Sequence, residues 1–278
     1  MPETSPRRPM RRKLADMPEL HTRIHGEPDR PAVVLLHGLF GSSSNWGAVA
    51  RHLAPNFRVL VPDLRNHGQS PHDPDNSYRA MVSDVLALLD AQDMAGATLV
   101  GHSMGGKVAM HLALNHPQRV TGLAVVDMSP VSYSHDFNEV LAAFRAVDLA
   151  RLGNRSDADA QMAHRVTIPG VRAFLLQNLV KRDGTWAWRL NLDALAASQA
   201  EILGFPPQSP GASYTGPAAF IYGELSDYVK PEYEPAIRRL FPAASLCPVP
   251  RAGHWVYAEQ PEGFMTCLDE YLARLATG

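Results

Sequence analysis

Cysteine is nearly missing from this chain of 278 residues, which has only Cys247 and Cys267. Two isolated thiols are too few for a disulfide framework or a cysteine metal site, so a reducing, cytoplasmic setting is the simplest expectation. Long apolar runs are missing too, and none approaches the ~18 residues of a membrane span. No charge sign dominates: 26 Lys and Arg face 28 Asp and Glu, for a net charge of −2. That balance excludes bulk attraction to nucleic acid. Despite 12 histidines, neither H-E-x-x-H nor closely spaced Cys/His pairs occur, so no metal and no cofactor is expected. Arg7, Arg8, Arg11, Arg12 and Lys13 are followed by no apolar h-region, which argues against a secretory signal. Residues 1–19 read as a disordered basic tail.

What is present is an ordinary globular composition, 45% hydrophobic, at a length that suits one large domain or one domain with an insertion. Buried-type apolar runs recur at 32–36, 57–61, 97–101, 120–126, 217–223 and 245–249, with a weaker opening strand or hairpin near 20–24. Helix-type patterns alternate with them at 46–53, 77–90, 104–115, 231–240 and 264–275. Continuous apolar strands separated by helices predict an α/β fold, a mostly parallel doubly wound sheet covered on both faces. The rhythm breaks between Val131 and Tyr214, where no convincing buried strand is visible and helical patterns dominate. The division expected is a core of residues 20–130 and 215–278 with a helical cap at 131–214, over the carboxyl ends of the strands, where ligand crevices form.

The most informative stretch is Thr98-Leu99-Val100-Gly101-His102-Ser103-Met104-Gly105-Gly106. It is a G-x-S-x-G pattern set between a strand and a helix, the context of a nucleophile elbow. In so tight a turn the serine takes a strained backbone, and a β-carbon at 101 or 105 would collide with the opposite side. A serine hydroxyl is a weak nucleophile and needs a base, which in turn needs an orienting group. In a triad carried on such a sheet the chain order is Ser, acid, His. His254, after the strand at 245–249, fits the base. For the acid, Asp127 follows the strand 120–126 directly, and Asp227 lies in Gly223-Glu224-Leu225-Ser226-Asp227 after the next strand. Asp227 sits one residue beyond the usual late position, which Ser226 occupies, so Asp127 is favoured and Asp227 is the alternative. Ser226 can assist as an auxiliary hydrogen-bonding group. The oxyanion hole needs two backbone N–H groups; Met104 supplies one, and Leu39, with Phe40 as alternative, the other. Phe40, Phe174, Trp188 and Trp255 are candidates to line an apolar substrate pocket. The polar loop Asp63-Leu64-Arg65-Asn66-His67-Gly68-Gln69-Ser70 reads as a hydrogen-bonded brace for the oxyanion segment in preference to a phosphate cradle, and His37 as structural.

With His37-Gly38, Arg65-Asn66-His67-Gly68, Gly101-His102-Ser103-Met104-Gly105-Gly106 and Gly253-His254 in place, the chain after about residue 20 resembles the α/β-hydrolase superfamily. Asn66, Lys107, Phe174-Leu175-Leu176-Gln177-Asn178-Leu179, Trp188-Arg189 and Ser226-Asp227-Tyr228-Val229 make it similar, more narrowly, to the YbfF-type esterases. The resemblance implies Ser103, Asp127 and His254 as the triad. It also implies hydrolysis of carboxylic esters or thioesters, including acyl-CoA-like ones, through an acyl-enzyme and without a cofactor. Two other readings stand beside it: a carbon–carbon bond hydrolase or perhydrolase using the same triad, and a non-catalytic small-molecule receptor. The expected partner is a small-molecule ester or thioester, and the oligomeric state is left open.

Overall fold

The computed structural model describes residues 19–277; the expected basic tail therefore lies, Glu19 apart, outside the described residues. In chain order the elements are β1 (Thr22–His25), β2 (Ala32–Leu36), α1 (Gly47–Leu53), β3 (Arg58–Pro62), α2 (Tyr78–Ala91), β4 (Ala97–His102), α3 (Met104–Asn115) and β5 (Val120–Val126). An inserted segment follows, with α4 (Asn138–Ala146), α5 (Arg155–Met162), α6 (Pro169–Leu175), β6 (Leu179–Arg182), β7 (Thr185–Trp188), α7 (Leu192–Ala197) and α8 (Gln199–Leu203). The chain closes with β8 (Ala218–Gly223), α9 (Glu234–Leu240), β9 (Ala244–Val249), α10 (Val256–Glu259) and α11 (Pro261–Thr277).

Seven strands form one sheet in the order β1-β3-β2-β4-β5-β8-β9, parallel except for β1, which pairs antiparallel with β3 rather than forming a hairpin with β2. The strands read as continuous apolar runs because each alternate residue faces a different helical layer. Val34, Leu36, Leu99, Val125 and Phe220 pack with residues of α2, α3 and α9. Val33, Leu35, Val100, Ala124 and Ile221 pack with residues of α1 and α11. After β3 the chain returns across β2 to β4, so the direction of winding reverses at the carboxyl ends of β2 and β4, where a crevice must open.

The segment between β5 and β8 contains strands that its helical sequence pattern does not suggest. It carries an antiparallel hairpin, β6–β7, turned by Asp183 and Gly184 at φ 49° and 80°. Asp-Gly is a strong two-residue hairpin signal, because both residues tolerate positive φ. The hairpin's tryptophans are tied down by their indole N–H groups, Trp186 to the Leu152 carbonyl (2.9 Å) and Trp188 to that of Phe144 (3.1 Å). Long-range bonds fasten the segment to the core. Lys107 of α3 is buried and donates to the carbonyls of Ile202 (3.2 Å), Leu203 (2.8 Å) and Gly204 (2.6 Å), the end of α8. Burial pushes its ammonium down to about 7, against the pull of those carbonyls and of the Tyr133 ring 4.9 Å away.

The cysteines also depart from expectation. Cys247 on β9 and Cys267 on α11 form a disulfide, with Cα atoms 6.2 Å apart. Isolated in sequence, they meet because α11 packs back onto β9, and the pairing removes the cysteine-based ground for a reducing compartment. No helix among the described residues is long and apolar enough to cross a membrane.

The loop after β3 is held by a buried ion pair. Arg65 grips both oxygens of Asp84 on α2, at 2.6 and 2.7 Å, and donates to the Asp75 carbonyl at 2.6 Å. Removing one partner of a buried pair leaves an uncompensated charge, so Asp84→Ala should cost about 3–5 kcal/mol. Urea denaturation of the variant checks this; a loss below about 1 kcal/mol would mean that the loop is held by other bonds.

Candidate active site

The site follows from strand register. Leu36 of β2 pairs with Gly101 of β4, and His102 of β4 with Val126 of β5. The residues just past these pairs, His37–Gly41, Ser103 and Asp127, therefore emerge side by side. Ser103 stands at φ 53° and ψ −116°, a strained conformation for a residue with a β-carbon. The turn is tight enough that a β-carbon on Gly101 would lie 2.3 Å from the Gly105 carbonyl oxygen, and one on Gly105 2.4 Å from that of Leu36. These contacts explain both glycines of the motif. The Ser103 N–H is tied to the Val126 carbonyl (3.1 Å) and the Asp127 N–H to that of Ile221 (2.9 Å).

Asp127 is fully buried at φ 50°. Its carboxylate accepts from the Gly223 N–H (3.0 Å), the Ser226 hydroxyl (2.5 Å) and Nδ1–H of His254 (2.7 Å). Asp227 points elsewhere. It is exposed and pairs with Lys230 at 2.9 Å. The one-residue shift read in the sequence thus places Ser226, rather than Asp227, against the histidine's partner.

His254 is gripped from several sides. The Tyr228 ring stacks on its imidazole with centroids 4.1 Å apart. His102 donates from Nε2 to the His254 carbonyl (2.9 Å). Glu259 accepts from the N–H groups of Gly253 (2.7 Å) and Trp255 (3.1 Å), which bracket it. Tyr228 is itself anchored, its carbonyl accepting from the hydroxyls of Ser129 (2.8 Å) and Tyr133 (2.7 Å). These positioning residues escaped sequence reasoning. Tyr228 adjoins Ser226 and Asp227, and His102 occupies the variable position of the G-x-S-x-G turn, but their partners are distant in the chain.

The loop after β2 is braced from below and above. His37 donates from Nδ1 to the Gly38 carbonyl (2.8 Å) and accepts at Nε2 from the Leu64 N–H (2.9 Å). Asn178 of the inserted segment donates to the carbonyl of Phe40 (2.8 Å), which sits at φ 61°. Asp63 accepts from the N–H groups of Ser43 (2.6 Å) and Gln69 (2.8 Å). Burial raises the Asp63 pKa, but those bonds and His37 outweigh it and leave the carboxyl below its ordinary value. Arg65, the principal cation of the 63–70 loop, is occupied by Asp84, so the loop is built as a brace. The N–H groups of Leu39, Phe40 and Met104 take no backbone partner outside the regular elements among the described residues.

A cavity of about 180 Å³ opens over Ser103, walled by Leu39, Phe40, Met104, Phe174, His254 and Trp255. Val140, Leu175 and Ile202 of the inserted segment close it from the other side. Trp188 does not reach it. Its ring packs edge-on against Phe144, centroids 4.8 Å apart, one layer behind Phe40, which the Phe144 ring meets at 5.5 Å. Among the described residues no group of three or more His, Cys, Asp or Glu is arranged to hold a metal ion.

Residues 31–261 match the family described as the alpha/beta hydrolase fold. The chain belongs to that family. The sn-1-specific diacylglycerol lipase ABHD11 of Mus musculus is 44% identical over 269 residues, 94% of this chain and 87% of the mouse protein. The esterase YbfF of Escherichia coli K12 is 39% identical over 243 residues, 86% of this chain and 92% of that protein. The solved structure of a marine microorganism esterase superimposes with a TM-score of 0.87 at 35% identity, covering 91% of this chain and 99% of the other. Within the α/β hydrolases the protein is thus a YbfF-type esterase.

Three buried histidines around this α/β-hydrolase site should make it acid-labile. Burial is the leading cause that lowers His37, His102 and His67, the last to about 3. Each is held neutral in the folded protein and takes a proton at its ordinary pKa once unfolded. The unfolded chain then binds more protons below about pH 6.5, so this stability is fully present above that pH and lost as pH falls. Each residue contributes a slope of about 1.4 kcal/mol per pH unit within its window. Urea denaturation at neutral pH and at about pH 5 should show the loss, and His67→Gln should flatten the slope by about one such contribution. An unchanged slope would contradict the assignment of His67.

Proposed function

We propose that this protein is a serine hydrolase that cleaves carboxylic esters or thioesters through an acyl-enzyme, with Ser103 as nucleophile, His254 as base and Asp127 as orienting acid. The observation that carries the reading is the 2.7 Å bond from His254 Nδ1 to a buried, threefold-bonded Asp127, in a cavity shared with a strained Ser103. With Nδ1–H donated to Asp127, the lone pair of the imidazole lies on Nε2. Ser103 Oγ attacks the acyl carbon while His254 Nε2 takes its proton. The charge on the carbonyl oxygen is met by the N–H groups of Met104 and Leu39, where the start of α3 adds its positive end. His254 then returns the proton to the departing alkoxide or thiolate. Water, deprotonated by the same histidine, attacks the acyl-serine and releases the acid, leaving Ser103 protonated.

The wall composition supports an apolar acyl group. Phe40, Phe174 and Trp255 line the cavity, and apolar walls with a few convergent polar groups are what such a group requires. The name of the mouse relative points to a glyceride, so a diacylglycerol belongs in the substrate panel. Labelling with a fluorophosphonate tests the reading. The protein should form one adduct, on Ser103, and Ser103→Ala should lose both the adduct and p-nitrophenyl ester turnover by a factor on the order of 10⁴ or more. An unlabelled Ser103 in a protein that still binds esters would favour a receptor.

A further inference from the structure

A second cavity, of about 910 Å³, adjoins the one over Ser103. The two share a wall made by Asn45, Val171, Phe174, Trp255 and Tyr257, and the Phe174 and Trp255 rings meet across it with centroids 5.7 Å apart. The larger space is an open groove between α6 and the residues that follow His254. Its floor is mainly apolar, and its rim carries Ile168, which at 63% exposure is one of the few large apolar side chains left in water among the described residues. The polar groups near the wall are already paired with each other, Asn45 donating to Gln177 at 3.2 Å. Arg155 donates to the carbonyls of Leu176 (3.0 Å) and Leu179 (2.8 Å), so the main cation of the groove is also engaged.

We infer that this groove is the leaving-group subsite, and that the enzyme prefers esters joining a compact acyl group to a long, apolar alcohol. The inference rests on the serine-hydrolase reading above. In that reading His254 hands its proton to the leaving group, so the leaving group must lie on the histidine's side of the reacting carbon. The Trp255 ring, which meets the His254 imidazole with centroids 5.7 Å apart, lines the groove. The acyl group then occupies the smaller cavity, where about 180 Å³ between Val140, Leu175 and the loop after β2 limits its length. The open groove, with about 910 Å³, imposes no such limit. Phe174 and Trp255 divide the two arms and direct each part of the ester to its own side.

Gly170 gives a direct test. It is exposed in the groove, and a β-carbon built on it meets nothing within 4 Å, so Gly170→Trp introduces an indole at the groove with open space for its β-carbon. The measurement is kcat/KM for decyl butyrate and ethyl butyrate, and for ethyl esters of increasing acyl length. The wild type should favour decyl over ethyl butyrate, and butyrate over dodecanoate. Gly170→Trp should reduce the decyl-to-ethyl ratio at least about tenfold and keep the acyl-length profile. Val140→Trp, in the smaller cavity, should do the reverse, shortening the acyl preference and keeping the ratio. The inference is overturned if the wild type prefers dodecanoate, if Gly170→Trp shifts the acyl profile instead of the ratio, or if the ratio does not move. A wild type that hydrolyses none of these esters and takes no fluorophosphonate would instead sink the serine-hydrolase reading itself.

Discussion

The carboxylate of Asp127 ends a strand buried in the middle of the sheet, and much of the site depends on how its charge is satisfied. A bare carboxylate there would be untenable. Three donors from two separate stretches meet it: the Gly223 N–H and the Ser226 hydroxyl from the turn that ends β8, and His254 from the loop after β9. Each stretch is thereby fixed relative to β5. The donors are available because the parallel strands end in register, so the loops that leave them share one edge. Sheet topology and electrostatics thus impose the same arrangement.

That arrangement stores strain where chemistry is proposed. Phe40, Ser103 and Asp127 all stand at positive φ, each immediately past or near the carboxyl end of a central strand. Such conformations persist only when the surroundings over-determine them. Here the over-determination is visible in the bonds that hold each residue: Asn178 on the Phe40 carbonyl, the Val126 carbonyl on the Ser103 N–H, and the Ile221 carbonyl on the Asp127 N–H. The inserted segment takes part, through Asn178 to the Phe40 carbonyl and through the α8 carbonyls to Lys107 of α3. Positioning therefore comes from both the core and the segment that covers it.

Much of this could be read from residues in order. The elbow is local: two glycines around a serine, between a strand and a helix, fix its geometry within five positions. The sheet was legible because its strands are buried on both faces and show as unbroken apolar runs. The β6–β7 hairpin escaped because its strands are short and half-polar, although Asp183-Gly184 carried the signal. Trp188 was misplaced because an aromatic near a site in sequence can lie one layer behind it in space. The Cys247–Cys267 pairing, the Glu259 brackets and the His102 contact join residues that only the packing of α11 and the loop after β9 bring together. The acid was the intermediate case. Position after β5 favours Asp127, but the distinction from Asp227 depends on which way a tight loop turns, and the bonds of Ser226 to the Gly223 carbonyl and to Asp127 set that direction.

The central claim is that Asp127, and not Asp227, orients His254 for attack by Ser103. The most direct measurement is kcat/KM on one ester for Asp127→Asn and Asp227→Asn, both shown to be folded by circular dichroism. The account predicts a fall on the order of 10⁴ for Asp127→Asn, because an amide no longer holds the imidazole in the required tautomer, and a change within a few-fold for Asp227→Asn. A large loss in Asp227→Asn with Asp127→Asn nearly unaffected would contradict it.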